Sequence, residues 1–341
     1  MNPSFSFIVP VFDRPAELNE LLESLKVQTY RNFEVIVAED GSSVRSEAVV
    51  QSYAETITLR YLDLPRSGPS LARNRAMEVA KGDYLLFVDS DCILPANYLE
   101  RLNDFLQDTP LDLFGGPDRA AEDFNNRQKA ISFAMTSFLT TGGIRGGKKK
   151  IDRFYPRSFN MGISRKAYES LGGFPITRMH PGEDMVFSIE LMRKGFGSGL
   201  IPCSPVWHKR RTSFKKFFRQ VWGFGFTRHI ISRVYPDTFR LYYLFPSLFI
   251  LGSGLLVMLS ILTGMIWPLI PIAAWISLIL LDSWIRGRDF VVAILSVWAS
   301  LIQMSGYGLG FLTAFAESRI LGKDRFGVFK DGFYPKPGSE L

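Results

Sequence analysis

From Leu241 to Leu281 the chain carries no charged side chain. At about 1.5 Å per helical residue, such a run is longer than one bilayer crossing needs. Pro268 and Pro271 divide it. The reading is a first apolar span from roughly Leu244 to Ile266, a second from Pro268 to Ile285, and a third from Phe290 to Phe315 after the polar loop Arg286, Gly287, Arg288, Asp289. With the first domain and that loop on one side, three crossings would leave Arg319, Lys323, Arg325 and Lys330 on the other, against the positive-inside rule. The stretch Ser305 to Gly310, with three glycines, therefore reads as a place where the third segment bends back as a re-entrant or interfacial hairpin.

Charge is as unevenly placed as hydropathy. The 341 residues hold 40 Lys plus Arg and 33 Asp plus Glu, a net charge of +7. Residues 1–208 carry 24 basic and 26 acidic side chains, and residues 209–240 carry 9 and 1. A chain basic over its whole surface, as a general nucleic-acid coat would be, is excluded. Within 209–240, Phe214, Phe217, Phe218, Val221, Trp222 and Gly225 recur at helical spacing while Lys215, Lys216 and Arg219 take the other face, which describes an interfacial amphipathic helix. Mixed basic and aromatic residues also suit nucleic acid. The apolar run that follows assigns the segment to membrane lipids, with Phe214, Lys215, Phe218, Arg219 and Trp222 at the interface and no nucleic-acid partner.

Two cysteines, Cys92 and Cys203, are too few for a disulfide framework or a four-ligand zinc site and read as ordinary buried thiols. The opening Met-Asn-Pro-Ser has no basic n-region, and Phe5 to Val11 is too short for a signal peptide, so the first domain is expected to stay in the cytoplasm. The organisation expected is a catalytic domain over 1–208, an interface segment over 209–240, about three transmembrane segments over 241–316 and a polar tail over 317–341. Lys148, Lys149 and Lys150 follow a Gly-rich stretch from Gly142 and read as a loop over the site, a lipid contact or a solvated loop.

In the first domain strands and helices alternate. Phe5 to Pro10, Phe33 to Ala38, Ile57 to Leu62 and Tyr84 to Val88 have strand length; Ala16 to Leu25 places Leu18, Leu21, Leu22 and Leu25 on one helical face, and Ser70 to Ala80 reads as a second helix. The alternation predicts an α/β fold with a mainly parallel sheet, whose ligands bind beyond the carboxyl ends of the strands. Those ends are acidic: Asp13 after the first, Glu39 and Asp40 after the second, Asp89 and Asp91 after the fourth. No GxGxxG or GxxxxGK[ST] loop follows a strand, which removes the common dinucleotide and P-loop readings. Two carboxylates at Asp89 and Asp91 suit Mg²⁺ or Mn²⁺ bridging a diphosphate. Farther on, Glu183 and Asp184 open the helical run Met185 to Arg193, where the helix dipole is expected to lower a carboxylate pKa; an N-cap and a general base are both compatible with that place.

The segments VPVFDRPAELNELLESLKVQTYRNFEVIVAEDGSS, GPSLARNRAMEVAKGDYLLFVDSDC, FNMGISRKAYESLGGF and GEDMVFSIELMRKG, in this order, resemble an inverting family 2 glycosyltransferase of the GT-A fold over nearly all of residues 4–210. The resemblance implies a Rossmann-like catalytic domain with Mn²⁺ or Mg²⁺ as cofactor and a UDP-linked nucleotide sugar as donor. It implies that Asp40 contacts the base, with Pro10, Val11 and Asp13 lining the same pocket. Asp89 would face the ribose and diphosphate and share the metal, Asp91 would ligate the metal directly, and Arg73 would support Asp89 or the phosphates unless it forms a surface salt bridge. Asp184 would be the catalytic base and Glu183 would orient the acceptor. His208 falls where such enzymes carry a metal or diphosphate ligand, although a surface role beside Lys209, Arg210 and Arg211 is equally open.

Processive synthases of this family carry Gln-x-x-Arg-Trp on a comparable helix, whereas this chain has Arg219, Gln220, Val221, Trp222, Gly223. The departure points to transfer of one or a few sugars onto a lipid-linked saccharide or other membrane-associated acceptor, at the bacterial inner membrane, in cell-surface glycan synthesis. A polyprenyl-phosphate sugar synthase is the alternative within the enzyme class, and a non-catalytic sugar-nucleotide-binding membrane scaffold is the alternative outside it.

Overall fold

The computed structural model describes residues 3–119, 124–141, 154–175, 179–209 and 213–323. In chain order its elements are β1 (Phe5–Val11), α1 (Pro15–Lys26), β2 (Phe33–Asp40), α2 (Glu47–Gln51), β3 (Leu59–Leu64), α3 (Pro69–Val79) and β4 (Tyr84–Phe87). There follow β5 (Cys92–Ile93), α4 (Tyr98–Asp108), β6 (Leu113–Gly115), β7 (Asp118–Arg119), α5 (Asn126–Thr136), α6 (Phe138–Thr141), β8 (Met161–Ser164), α7 (Arg165–Leu171) and α8 (Glu183–Arg193). The chain closes with β9 (Ser198–Leu200), β10 (Val206–His208) and four long helices: α9 (Phe214–Val234), α10 (Phe245–Thr263), α11 (Ile270–Gly287) and α12 (Phe290–Arg319).

The first compact unit takes in the described residues up to Arg119, then 154–175 and 179–209. Its seven strands run β3-β2-β1-β4-β8-β6-β9, parallel except for β8, which is antiparallel to both neighbours. Alternation along each strand builds two cores. Phe7, Val9, Val35 and Val37 meet Leu18, Leu21, Leu22 and Leu25 of α1 on one face. Ile8, Ile36 and Phe87 meet Ala72, Ala76 and Met77 of α3 and Phe187 and Leu191 of α8 on the other. Each large side chain taken from water in this way contributes about 1.5–3 kcal/mol. The mainly parallel α/β sheet expected from the alternation is the one found, with the third strand displaced to Leu59–Leu64. A second, three-stranded sheet runs β5-β10-β7.

The second unit holds the described residues 124–141 and 213–323. Within this unit α5 buries Ala130, Ile131, Ala134 and Met135 with Phe217, Val221 and Ala299, so residues 124–141 group with the helices rather than with the α/β unit. The apolar stripe of α9 is likewise not open to lipid along its length: Phe217, Val221 and Gly225 are buried, whereas Phe214, Phe218 and Trp222 are half-buried and Lys215, Lys216 and Arg219 are exposed. Three helices, Leu241–Thr263, Trp267–Gly287 and Phe290–Arg319, are long and apolar enough to cross a membrane.

The third of these does not bend at Ser305 to Gly310, as expected from its glycines, but runs unbroken through them. The glycines serve helix packing instead. A Cβ at Gly310 would lie 2.0 Å from the Trp222 carbonyl oxygen, one at Gly306 would lie 2.5 Å from Val221, and one at Gly225 of α9 would lie 2.0 Å from the Tyr307 carbonyl oxygen. The triple lysine at 148–150, Arg210, Arg211 and the tail residues Arg325 and Lys330 lie outside the described residues.

Candidate active site

The acid at the end of β2 divides into two tasks. Glu39 is fully buried; its carboxylate accepts the Ser46 N–H at 2.8 Å, the Tyr61 hydroxyl at 3.3 Å and the Ser42 hydroxyl. Asp40 accepts the Ser67 N–H at 2.6 Å and the Gly68 N–H at 2.9 Å, so it fixes the turn that opens α3. Burial raises the Asp40 carboxyl, partly offset by the Ser67 and Gly68 donors. Gly41 makes this approach possible, since its φ is 66° and a Cβ there would lie 2.5 Å from the Arg66 nitrogen. Asp13 ties the β1 end to the same turn: its N–H donates to Ser42 Oγ at 2.8 Å and its carboxylate accepts the Val44 N–H at 2.9 Å. Pro10 is half-buried, whereas Val11 is 1% exposed and packs its side chain in the sheet core.

Arg73 is the residue on which the site turns. It lies on α3, is 2% exposed, and joins three segments: Nη2 donates to Asp89 Oδ1 at 2.9 Å and to Ser158 Oγ at 3.2 Å, and Nη1 donates to Glu183 Oε1 at 3.3 Å. The surface-salt-bridge reading of Arg73 is thereby replaced by a buried bridge between the β4 end and the start of α8. His180 Nδ1 lies 3.0 Å from the same Glu183 oxygen. Burial alone would raise Glu183, but His180 and Arg73 outweigh it and hold it down to about 2.

Asp184, next along α8, is set in the opposite direction. Its carboxylate accepts the Met185 N–H at 2.7 Å and the Ser158 N–H at 3.4 Å. Burial and the neighbouring Glu183 charge together raise it, against the pull of Arg157 and the two backbone donors. The expected lowering by the helix start is therefore outweighed by desolvation. The N-cap position itself belongs to Gly182, with φ at 116°.

Strand pairing builds the other half of the site. In the register of β10 with β5, His208 stands directly opposite Cys92. This brings His208 Nε2 to 3.2 Å from Asp91 Oδ1, while Asp91 Oδ2 pairs with the Arg14 guanidinium. Burial would raise Asp91, but His208 and Arg14 outweigh it and hold it well below the usual carboxylate range. Phe159 stacks on the His208 ring at 4.8 Å.

Asp91 Oδ1 accepts no well-aligned hydrogen bond and His208 Nδ1 has no partner among the described residues, so the pair fits a divalent cation that prefers oxygen and imidazole donors. Asp89, expected to share the metal, is instead held on Arg73. Cys92 was not singled out as a donor from the sequence, yet one ligand atom from each of Asp91, Cys92 and His208 lies within 4.8 Å of the others. The signal available was its place directly after Asp91. Burial pushes the Cys92 thiol well up, and its Sγ donates to the Phe159 carbonyl at 3.6 Å, so it brings no thiolate to a hard ion.

A family model described as glycosyl transferase family 2 matches residues 6–172. Among similar proteins, the glycosyltransferase EpsJ of Bacillus subtilis (strain 168) is 32% identical over 116 residues, 34% of this chain and 34% of that protein. YibD of Escherichia coli (strain K12) is 36% identical over 105 residues, 30% of each chain. A glycosyltransferase of Haemophilus influenzae is 44% identical over 91 residues, 26% of this chain and 30% of the other. The chain thus spans about a third of the length of the curated relatives it matches. A mannosyltransferase of Pyrobaculum calidifontis, solved in complex with GDP-Man and Mn²⁺, shares the fold with a TM-score of 0.55 at 19% identity, over 95% of this chain and 89% of that one. Residues 6–172, which carry most of the parallel GT-A-like sheet, thus match the glycosyl transferase family 2 model.

Proposed function

We propose that the protein is a membrane-bound inverting glycosyltransferase that moves a sugar from a nucleoside diphosphate sugar, UDP-linked in the first place, to a lipid-linked saccharide. The observation that carries this reading is the opposed electrostatic setting of two carboxylates: Asp184 raised above the ordinary aspartate value by burial and Glu183, Asp91 lowered beside His208 and Arg14. The GDP-Man and Mn²⁺ held by the Pyrobaculum mannosyltransferase support a nucleotide-sugar donor and a divalent ion.

Asp184 takes the proton from the acceptor hydroxyl as that oxygen attacks the anomeric carbon, so one displacement inverts the centre. Glu183, kept ionised and fixed by Arg73 and His180, orients the acceptor rather than accepting its proton. Asp40 and Asp13 hold the base-side turns at the ends of β2 and β1. Asp91 and His208 would hold Mn²⁺ or Mg²⁺, which when bound neutralises charge on the departing diphosphate. The three apolar helices support an anchored enzyme at the inner membrane with its α/β unit in the cytoplasm, and the exposed Lys215, Lys216 and Arg219 support contact with anionic lipid.

Incubation of the full chain in membranes with a panel of nucleotide sugars, followed by mass spectrometry of the lipid fraction, tests this. A sugar added to a polyprenyl diphosphate saccharide, lost in Asp184→Asn with donor binding retained, is expected. Transfer to polyprenyl phosphate alone reassigns the acceptor. Full transfer by Asp184→Asn overturns the mechanism, and donor binding without transfer in every membrane extract favours a scaffold.

A further inference from the structure

We propose that α5 and α6 form a peg that enters the membrane beside α11, with Phe138 at its tip in contact with lipid acyl chains. This rests on the reading of the three apolar helices as membrane spans, and adds to them a segment that falls, in chain order, between β7 and β8 of the α/β unit.

Depth is the first reason. The Ser137 hydroxyl donates to Asp282 Oδ2 at 3.3 Å, and Trp275 Nε1 donates to the Leu139 carbonyl at 3.2 Å. Asp282 lies close to the Gly287 end of α11, but Trp275 lies about 18 Å from that end, near the middle of the 21-residue span Trp267–Gly287. The tip is thus held against the apolar middle of α11, where the Trp275 ring also meets Phe249 of α10 at 4.7 Å. Composition along the axis is the second. Asn125, Asn126, Arg127 and Lys129 are exposed at the start of α5, whereas no charged residue occurs from Ala130 to Thr141 and Phe138 is 69% exposed at the far end. A helix lying on a bilayer surface divides polar from apolar residues by face; this segment divides them by end, as one entering lipid tip first does. Hydrogen bonding is the third. Thr136 Oγ1 donates to the Ser132 carbonyl at 2.8 Å, Thr140 Oγ1 to the Ala134 carbonyl at 2.6 Å and Thr141 Oγ1 to the Ser137 carbonyl at 3.0 Å. With Ser137 on Asp282, every hydroxyl from Thr136 to Thr141 is satisfied inside the protein, the condition that surroundings without water impose.

The same contacts account for a carboxylate on an apolar helix. Arg286 Nε donates to Asp282 Oδ1 at 2.7 Å, Ser137 occupies Oδ2, and the Arg286 guanidinium lies 5.8 Å from the Phe133 ring centroid. A charge within a span is kept by an opposite charge and by hydrogen bonds, and Arg286, one turn nearer the helix end and 55% exposed, carries its head toward water. On α11, Leu278, Leu281 and Trp284 are about half exposed, and Phe138 adds an aromatic ring to that apolar surface. One occupant, hydrocarbon, covers both. The chain then meets the bilayer twice, once between two strands of the α/β unit and again after residue 213.

The test uses the full chain in vesicles of phosphatidylethanolamine and phosphatidylglycerol, with a nitroxide on Phe138→Cys in a Cys203→Ser background, where Cys92 stays buried. Collisions with oxygen, which concentrates in hydrocarbon, should exceed those with an aqueous nickel chelate several-fold at position 138, as they should for Leu255→Cys on α10. Lys129→Cys, at the polar end of α5, should show the reverse order. A nickel-accessible label at 138 beside an oxygen-accessible label at 255 overturns the proposal and leaves the anchor standing. A label at 255 that reads as aqueous overturns the membrane spans and the proposal with them. Shielding from both probes at 138 means that protein covers the tip, and also overturns it. If Phe138→Cys fails to fold, the wild type in vesicles containing a lipid with a mid-chain diazirine decides: cross-links on the peptide that holds Phe138 support the proposal, and their absence beside cross-links on α10 overturns it.

Discussion

Arg73 and Glu183 are 110 positions apart in the chain and 3.3 Å apart in space, guanidinium nitrogen to carboxylate oxygen, with side chains 3% and 2% exposed. Removing the cation strands a buried carboxylate. Arg73→Ala should therefore lower stability by about 3–5 kcal/mol, and Arg73→Lys by less while still losing the bridge to Asp89. Pairing Arg73→Met with Glu183→Gln should recover part of the loss, because the fully buried charge goes with its cation and the carboxylate left behind, Asp89, is partly exposed to water. Unfolding of the purified variants in one detergent measures all three.

The opposed settings of Glu183 and Asp184 give a pH signature. With Asp184 as the proposed base, activity should fall as pH drops through its raised pKa, above the ordinary aspartate value of 3.8. Glu183→Gln removes a charge that raises Asp184, and the acid limb should move to lower pH. Profiles of kcat for the two proteins check the direction; an unmoved limb would assign it to another group.

His180 should make stability depend on pH in the other direction. Glu183 raises its pKa above the ordinary 6.5, against the lowering by burial and Arg73, with Asp89 adding to the rise. Its contribution is thus complete below about pH 6.5 and lost as pH climbs through the raised value. The gap in thermal midpoint between wild type and His180→Gln should be widest in mild acid and close in alkali.

Two glycines should behave oppositely. Gly310→Ala places a methyl 2.0 Å from the Trp222 carbonyl oxygen and should cost about 1–3 kcal/mol by forcing α9 and α12 apart. At Gly252 nothing lies within 4 Å, so Gly252→Ala should be neutral or slightly stabilising. Thermal midpoints in detergent separate them.

Periodicity made the sheet and the face of α1 legible: Leu18, Leu21, Leu22 and Leu25 are all fully buried. It fixes a face without naming what covers it: the apolar stripe of α9 suits lipid, yet much of it meets α5 and α12. The same limit hid the transfer of α5 to the helical unit. Spacing also fixes nearness without direction. Asp89 and Asp91 lie two residues apart, but β4 has already ended at Phe87, and they turn to different cations, Arg73 and Arg14. That Asp184 opens a helix could be read from the chain; how deeply it is buried could not, and burial decides its pKa. Cys92 gained its neighbours from a strand pairing that no local pattern announces.

That pairing also sets an order along the chain. A polypeptide that runs through Leu200 already contains every strand of the seven-stranded sheet, Arg73 with its partners, and the Glu183 and Asp184 carboxylates, yet it lacks His208, the imidazole set against Asp91. Only when Val206–His208 follows and adds to Cys92–Ile93 is the proposed ion-holding pair complete. In chain order the seven-stranded sheet is thus complete before the residue that closes the proposed ion-holding pair, so truncation just before Val206 would spare the sheet and remove that pair.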